Sequence, residues 1–575
     1  MSVSHQDSAM DLLKDPFFAH GTGFSTEARE QHHLKGLIPP VVETIDVQVE
    51  RCIARIDALA ENPLEQYTYL DRIRFENSNL FFRVVGAHLK KIVSIIYTPT
   101  VGLACQEFSH IYTPGSVPGL FVSLADKDNL DSILNNWPGP EPDICVMTDG
   151  SRILGLGDLG VNGMGIPVGK LSLYVAAGGF HPTKTLPITL DLGTNTQKHL
   201  DDPFYLGTKS TRPNDEIFYD FIEAVMVALK KRWPSLLVQF EDFSSEHAFG
   251  TLEKLRDRYF TFNDDIQGTG AVILSGFINA LRLSEVPLKD HRILFVGAGS
   301  AGVGVASQLM EHFIRAGGLS HAEAKSLFWL MDSKGVVTTD RSDASRYPQH
   351  KTLFMRNDMN GKQIGSLLEA IETLKPTALI GLSAVGGAFT EDVLQRISEI
   401  NTRPIVFPLS NPLANAECTF ADAVRTSDGK VLFASGTAFP AQPHPVTGTI
   451  LEPGQGNNMY IFPALGFGAV LAKATHVTDN MVYTSAVSLS EQLNEKEKAL
   501  GLLYPRLERI RETSANLSRD VILSALRDGL VREPFVLSLY NVDEGVKATD
   551  EVTSNETKGE ELLRWVQSKM YSPHY

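Results

Sequence analysis

The chain has 575 residues, 43% hydrophobic and 21% charged, a composition that excludes extended disorder, a collagen-like repeat and a coiled-coil rod for most of its length. Its formal net charge of −16 argues against nucleic acid or an acidic membrane surface as the main partner, while leaving room for a local cationic site that takes an anionic substrate. The four cysteines, Cys52, Cys105, Cys145 and Cys418, have no paired spacing, so a disulfide framework and a zinc module are not expected. No apolar run approaches the roughly 20 residues of a membrane span. The first residues, Met1 to Phe17, carry Asp7, Asp11 and Asp15 and no arginine, so they read as neither a secretory signal nor an Arg-rich transit peptide, and a cytoplasmic location is expected.

In chain order, the stretch to about Thr113 has helical spacing, with Leu70, Ile73, Phe81, Val84 and Val85 among its apolar positions. Asp215 to Trp233 is a clearer helix. Ile217, Phe218, Phe221, Ile222, Val225, Met226 and Leu229 recur at three- and four-residue steps, Lys230, Lys231 and Arg232 occupy the last turn, and Pro234 stops it. Short apolar runs predict strands at Ile144–Met147, Thr185–Leu190, Leu236–Phe240, Arg292–Val296, Leu327–Met331, Ala378–Ile380, Pro404–Phe407 and Val431–Ala434. Their alternation with helices implies an α/β fold with parallel sheets. Asp543 to Glu561 reads as a polar, acidic and mobile stretch, followed by a short docking helix carrying Leu562, Leu563, Val566 and Met570.

Two glycine strings of the form G-x-G-x-x-G differ in context. Gly297-Ala-Gly299-Ser300-Ala301-Gly302 follows a predicted strand and enters a predicted helix, Ala301 to Ala316. A second strand then ends at Asp332. This is the arrangement of a dinucleotide site, with a tight turn, close backbone approach to a pyrophosphate and a helix N-terminus to receive its charge. Asp332 lies 30 positions after Gly302, against about 20 in the usual fingerprint, so the intervening helix must be extended. The other string, Gly155-Leu-Gly-Asp-Leu-Gly160, has no long helix beginning at once; it reads as a glycine-rich wall of an active site that places Lys170.

Glu241 and Asp242 stand at the end of one predicted strand, and Asp264 and Asp265 follow about twenty residues later. Carboxylates at strand ends can converge on a hard cation such as Mg²⁺ or Mn²⁺; the spacing alone also allows solvated carboxylates at turns. Asn411, Asn457 and Asn458 sit in Leu409-Ser-Asn-Pro412 and Gly454-Gln-Gly-Asn-Asn458, where side-chain amides can bind a carboxylate or cap a helix.

These strings, taken with Tyr97-Thr-Pro-Thr-Val-Gly-Leu-Ala-Cys-Gln106, Thr148-Asp-Gly-Ser-Arg152, Gly163-Met-Gly-Ile-Pro-Val-Gly-Lys170, Phe240-Glu-Asp-Phe243 and Thr261-Phe-Asn-Asp-Asp-Ile-Gln-Gly-Thr269, resemble the malic enzymes, in that family's order and from about Gly21 to Asp528. Ala434-Ser-Gly-Thr-Ala-Phe439 departs from the family's usual S-G-S-P-F, and the tail after about Leu530 lies outside the resemblance. The resemblance implies a helical N-terminal domain (1–115), a split α/β catalytic domain (116–265 and 453–528), a Rossmann-type dinucleotide domain (266–452) and a small C-terminal segment (529–575).

The same resemblance implies oxidative decarboxylation of L-malate to pyruvate and carbon dioxide with Mg²⁺ or Mn²⁺ and NADP or NAD, in a homotetramer or homodimer. Residue by residue it implies Glu241, Asp242 and Asp265 as metal ligands, and Asp264 as a neighbouring carboxylate. Lys170 becomes the general base and Tyr97 the general acid. Arg152, Asn411, Asn457 and Asn458 become substrate-binding residues. Gly297, Gly299, Ser300, Ala301, Gly302, Asp332, Ser333, Lys334 and Asn411 are expected to bind the dinucleotide. Asp332-Ser333-Lys334 looks like the NADP-preferring branch: Asp332 alone would repel a 2′-phosphate, Lys334 can offset it, and the second cation expected nearby is not identifiable in the irregular stretch Thr339 to Lys351. Two other functions compete, a malolactic-type enzyme that forms lactate and a catalytically silent nucleotide-binding relative.

Overall fold

A computed structural model describes residues 9–347 and 352–575. The chain forms two compact units. One runs from the first described residue to Phe262 and includes Gly466–His476 and Gly529–Tyr575; the other holds Asn263–Leu465 and Val477–Asp528.

After two short helices, Ala9–Lys14 and Thr26–Gln31, the first unit has consecutive helices α1 (Ile45–Ala58), α2 (Pro63–Glu76), α3 (Ser78–Ala87) and α4 (Leu89–Ile96). Asn62 and Asn77 begin α2 and α3 by accepting hydrogen bonds from the N–H groups of Glu65 and Leu80. Five strands follow: β1 (Leu120–Ser123), β2 (Ile144–Thr148), β3 (Thr185–Asp191), β4 (Leu237–Phe240) and β5 (Thr261–Asn263), in the order β1-β3-β2-β4-β5. The β1–β3, β3–β2 and β2–β4 pairs are parallel. Every residue of β2 and β4 is buried, which is why both read as apolar runs, interrupted in β4 only by Gln239. Helix α5 (Gly165–Leu173) packs on β2 and β3. Helix α6 (Asp215–Arg232) matches its prediction, capped by Asn214 at the start and by Trp233 at the end.

The second unit begins with α7 (Thr269–Ser284) and is built on a seven-stranded sheet. Its strands in chain order are β6 (Ile293–Val296), β7 (Phe328–Asp332), β8 (Gly335–Val336), β9 (Ala378–Gly381), β10 (Ile405–Pro408) and β11 (Leu432–Ser435); after the ribbon β12–β13 (Gln442–Pro443, Ile450–Leu451) comes β14 (Gly454–Gln455). The spatial order β14-β11-β10-β9-β6-β7-β8 puts β6 between β9 and β7. The chain leaves β6 to build one side of the sheet and later crosses to build the other. That reversal is the topological switch point of a Rossmann-type fold, where a crevice opens at the strand ends. Helix α8 (Ser300–Arg315) starts directly after the glycine turn that follows β6.

The predicted strands all appear, each shifted by no more than a residue at either end. Two expectations need correction. The 30 positions from Gly302 to Asp332 are filled by α8 and a separate short helix, His321–Ser326, and not by one extended helix. The stretch read as mobile holds helix Asp550–Thr553 and the start of helix Glu556–Lys569, so the docking helix begins at Glu556 rather than Leu562. Asn555 caps it through the N–H of Lys558, a local bond that the acidic composition conceals. Leu562 and Val566 are buried as expected. Among the described residues no helix is long and apolar enough to cross a membrane, and the four cysteines are buried thiols.

Candidate functional site

At the ends of β2, β4 and β5 the sheet carries its charged residues. Lys170, near the end of α5, places Nζ 2.8 Å from Glu241 Oε1, with both side chains almost wholly buried. The other oxygen of Glu241 accepts from Gln239 Nε2 at 2.7 Å, and the Tyr174 hydroxyl donates to the Oε1 of Gln239. Lys170 Nζ also lies 5.4 Å from the centre of the Tyr97 ring. Glycine explains that proximity: a Cβ on Gly169 would fall 2.6 Å from the carbonyl of Ile96, the residue before Tyr97, so only glycine lets α5 close on the end of α4.

Asp242 has a left-handed backbone (φ 55°), and its carbonyl accepts the N–H of Arg152 at 3.2 Å. Arg152 is exposed, and its guanidinium bonds the hydroxyl of Ser245. Asp264 and Asp265 continue directly from β5 into a single π-turn, Asp264–Gly268, capped by Asn263 through the N–H of Ile266. Glu241 and Asp242 are both buried at the end of β4, and Asp265 stands in the π-turn that follows β5. Carboxylate oxygens of this kind suit a small hard divalent cation and not a thiophilic one.

Asp264 is fully buried and accepts from Asn458 Nδ2 at 3.1 Å; the same amide bonds Thr269 Oγ1 at 2.9 Å. The side-chain oxygen of Asn457 accepts the N–H of Met459 at 3.0 Å and so caps a short turn. Asn411 is exposed beside Gly436, where a Cβ would sit 2.8 Å from the Asn411 amide nitrogen.

The glycine turn after β6 divides its work. Gly297 has φ +117°, and a Cβ there would meet the carbonyl of Leu382 at 2.3 Å; one on Gly302 would meet the carbonyl of Gly297 at 2.1 Å. Gly299 has open space where its Cβ would be, as a turn needs if a pyrophosphate is to approach its backbone. Ala301 stands in the first turn of α8.

At the end of β7, Asp332 accepts from Arg341 at 2.9 Å, the Lys334 N–H at 2.8 Å and the Tyr347 hydroxyl at 2.8 Å. Burial alone would raise its pKa, but these bonds outweigh it and hold the carboxyl below its usual range. Lys334 is largely exposed and reaches Asp343 at 2.7 Å, while Arg341 is buried between Asp332 and Asp343. Ser333 is the residue between Asp332 and Lys334 in this turn. Residues 348–351, the end of the irregular stretch that begins at Thr339, lie outside the described residues.

Comparison with known proteins follows the same two halves. Residues 74–256 match the malic enzyme N-terminal domain, and residues 266–526 match the malic enzyme NAD-binding domain. The chain is 46% identical over 529 residues to the NADP-dependent malic enzyme of Dictyostelium discoideum, covering 92% of this chain and 96% of that protein.

The chain belongs to the malic enzyme family.

Within the family, it is 40% identical over 541 residues to the mitochondrial NAD-dependent malic enzyme 2 of Arabidopsis thaliana, covering 92% of this chain and 88% of the relative. It is 38% identical over 574 residues to NADP-dependent malic enzyme 3 of the same plant, covering all of this chain and 92% of the relative. That last alignment corrects the sequence reading of the tail: similarity to the family runs past Leu530 through the whole segment. The malic enzyme of Pyrococcus horikoshii shares the fold, with TM-score 0.53 at 23% identity over 84% of this chain and 89% of that one.

The geometry also brings in residues that sequence reasoning missed. Gln239 and Tyr174 brace Glu241, and the one polar residue inside the apolar run of β4 was a signal for the first. Arg212 donates to Asp158 at 2.8 Å and to the Asp149 carbonyl at 2.8 Å, bracing the first glycine string as a wall rather than a second dinucleotide turn. That wall leads through Gly160–Met164 into α5, so Lys170 stands on a helix that begins five residues after Gly160.

Proposed function

We propose that this chain oxidatively decarboxylates L-malate to pyruvate and carbon dioxide, reducing NADP in preference to NAD and using Mg²⁺ or Mn²⁺ held by Glu241, Asp242 and Asp265. The observation that carries the reading is the buried Lys170 amino group, 2.8 Å from Glu241 and beside the Tyr97 ring. A buried lysine of this kind has no structural need at a sheet end; it is suited to moving a proton. When bound, the dinucleotide accepts the hydride from C2 and the metal polarises the C2 oxygen for loss of carbon dioxide.

The chain's own residues do the rest. Lys170, in its neutral amine form, takes the C2 hydroxyl proton as oxidation proceeds and becomes the ammonium. Tyr97 delivers a proton to C3 of the enolate left by decarboxylation. Arg152 grips a substrate carboxylate through its planar guanidinium, joined by the amides of Asn411 and Asn457. Asn458 holds Asp264, and through it the turn that carries Asp265. Gly297, Gly299, Ser300, Ala301 and Gly302 receive the pyrophosphate.

The NADP preference is supported by the Asp332 carboxylate being already neutralised by Arg341, so that a 2′-phosphate near Ser333 and Lys334 meets less repulsion. Names of relatives include both cofactors and do not decide it. The test supplies L-malate, Mn²⁺ and NADP or NAD, and measures reduced-nicotinamide absorbance and pyruvate in one sample. Equal amounts of both products support the reading. Lactate without accumulating reduced cofactor would assign a malolactic-type enzyme, and binding without turnover a silent relative.

A further inference from the structure

Glu417 is fully buried in the second unit, outside every motif singled out above. Its carboxylate joins the loops that leave β9 and β10. Oε1 accepts from the Ser383 N–H at 3.0 Å, the Ser383 hydroxyl at 2.9 Å and the Ser410 hydroxyl at 2.5 Å; Oε2 accepts from the Ser410 N–H at 3.3 Å. The Ser410 hydroxyl in turn accepts the N–H of Ala384 at 2.9 Å. Ala384 has φ +55°, a left-handed conformation that alanine rarely adopts and that has to be held by its surroundings. The same loop is pressed on the dinucleotide turn, since a Cβ on Gly297 would lie 2.3 Å from the carbonyl of Leu382 and 2.8 Å from the nitrogen of Ser383. Asn411 follows Ser410 directly.

We propose that Glu417 is a positioning residue for the dinucleotide crevice: it locks the Ser383–Ala384 turn against Gly297 and ties that turn to the loop that presents Asn411. A carboxylate suits this place because every group facing it is a donor, and four donors converge on two oxygens. Glutamine, with one oxygen in place of two and no charge, would turn its NH₂ group on at least one N–H donor and weaken the lock. The inference rests on the dinucleotide reading of this crevice and not on the identity of the substrate.

The test titrates NADPH by its fluorescence into the wild-type full-length protein and the Glu417→Gln and Ser410→Ala variants, alongside Mn²⁺ binding without dinucleotide and thermal melting. In both variants the NADPH dissociation constant is expected to rise about tenfold or more, the scale of losing a hydrogen bond to a charged group, with Mn²⁺ binding unchanged. Ser410→Ala leaves Glu417 its bonds to Ser383, so it carries the test if Glu417→Gln does not fold. Unchanged NADPH affinity in folded variants, or equal loss of NADPH and Mn²⁺ binding, would overturn the proposal. A wild-type protein that binds NADPH but does not oxidise malate leaves it standing and removes the malate reading alone; one that binds no dinucleotide overturns both.

Discussion

Lys170 and Glu241 form an ion pair at 2.8 Å with almost no solvent on either side chain. Such a pair is weak evidence of stabilisation, because taking both charges out of water costs several kcal/mol per ion and the attraction only offsets it. Its value lies in what it holds. Glu241 is fixed on its second oxygen by Gln239, so Lys170 is aimed by a rigid carboxylate and not by a mobile one.

Tyr97 and Lys170 act on different proton transfers. Tyr97→Phe should slow overall malate turnover by roughly 10²–10⁴-fold while sparing NADPH-dependent reduction of added oxaloacetate, which needs no proton at C3. The check is oxaloacetate reduction measured beside exchange of the pyruvate methyl protons in deuterium oxide. Loss of reduction together with exchange would remove the assignment.

The strand-end carboxylates predict a metal effect separable from cofactor binding. Glu241→Ala and Asp265→Ala should raise the Mn²⁺ concentration needed for activity strongly and leave metal-free dinucleotide affinity near wild type. An Mn²⁺ titration unchanged from wild type in both variants would show that these carboxylates hold no catalytic ion. Residual activity in Asp265→Ala is expected if Asp264 supplies an oxygen in its place.

Cofactor choice turns on Asp332, Lys334 and Arg341. Lys334→Tyr should lower kcat/KM for NADP far more than for NAD. Arg341→Ala leaves the Asp332 carboxylate uncompensated and should act in the same direction, with an added loss of stability because Arg341 is buried. Equal effects on both cofactors would mean that the 2′-phosphate is not read here.

How far the sequence reaches is clear at this corner. Asp332, Ser333 and Lys334 are contiguous and follow an apolar run, so periodicity locates them. Arg341 is nine residues from Asp332 in a stretch without periodicity, and its role exists only once the chain turns back to make the pair. Glu417 is hidden for the same reason, since its partners on two other loops meet only in the folded sheet. Buried parallel strands were legible because both faces demand apolar residues. β1, four residues long with Phe121 exposed, and β5, only three residues long, carry too little pattern to be read.

Two buried histidines predict acid sensitivity of the fold. Burial lowers His291 and His312 to about 4, against 6.5 when unfolded. Above pH 6.5 both states are neutral and the full stability is present. As pH falls from 6.5 toward 4, the unfolded chain takes up protons that the folded one refuses, and stability is lost, by about 2 kcal/mol per histidine at pH 5. Melting temperatures at pH 7 and pH 5 check this, and His312→Gln should show a smaller drop between them than wild type. An identical drop would place the acid sensitivity elsewhere.

Removal of the malate hydroxyl proton by Lys170 is measured in the steady-state rate of malate oxidation by Lys170→Ala, with and without added small amines. kcat is expected to fall by roughly 10²–10⁴-fold and to recover in part as methylamine is added. A Lys170→Ala enzyme that keeps near-wild-type kcat, or a depressed one that no amine restores in a folded, Mn²⁺-binding protein, would contradict it.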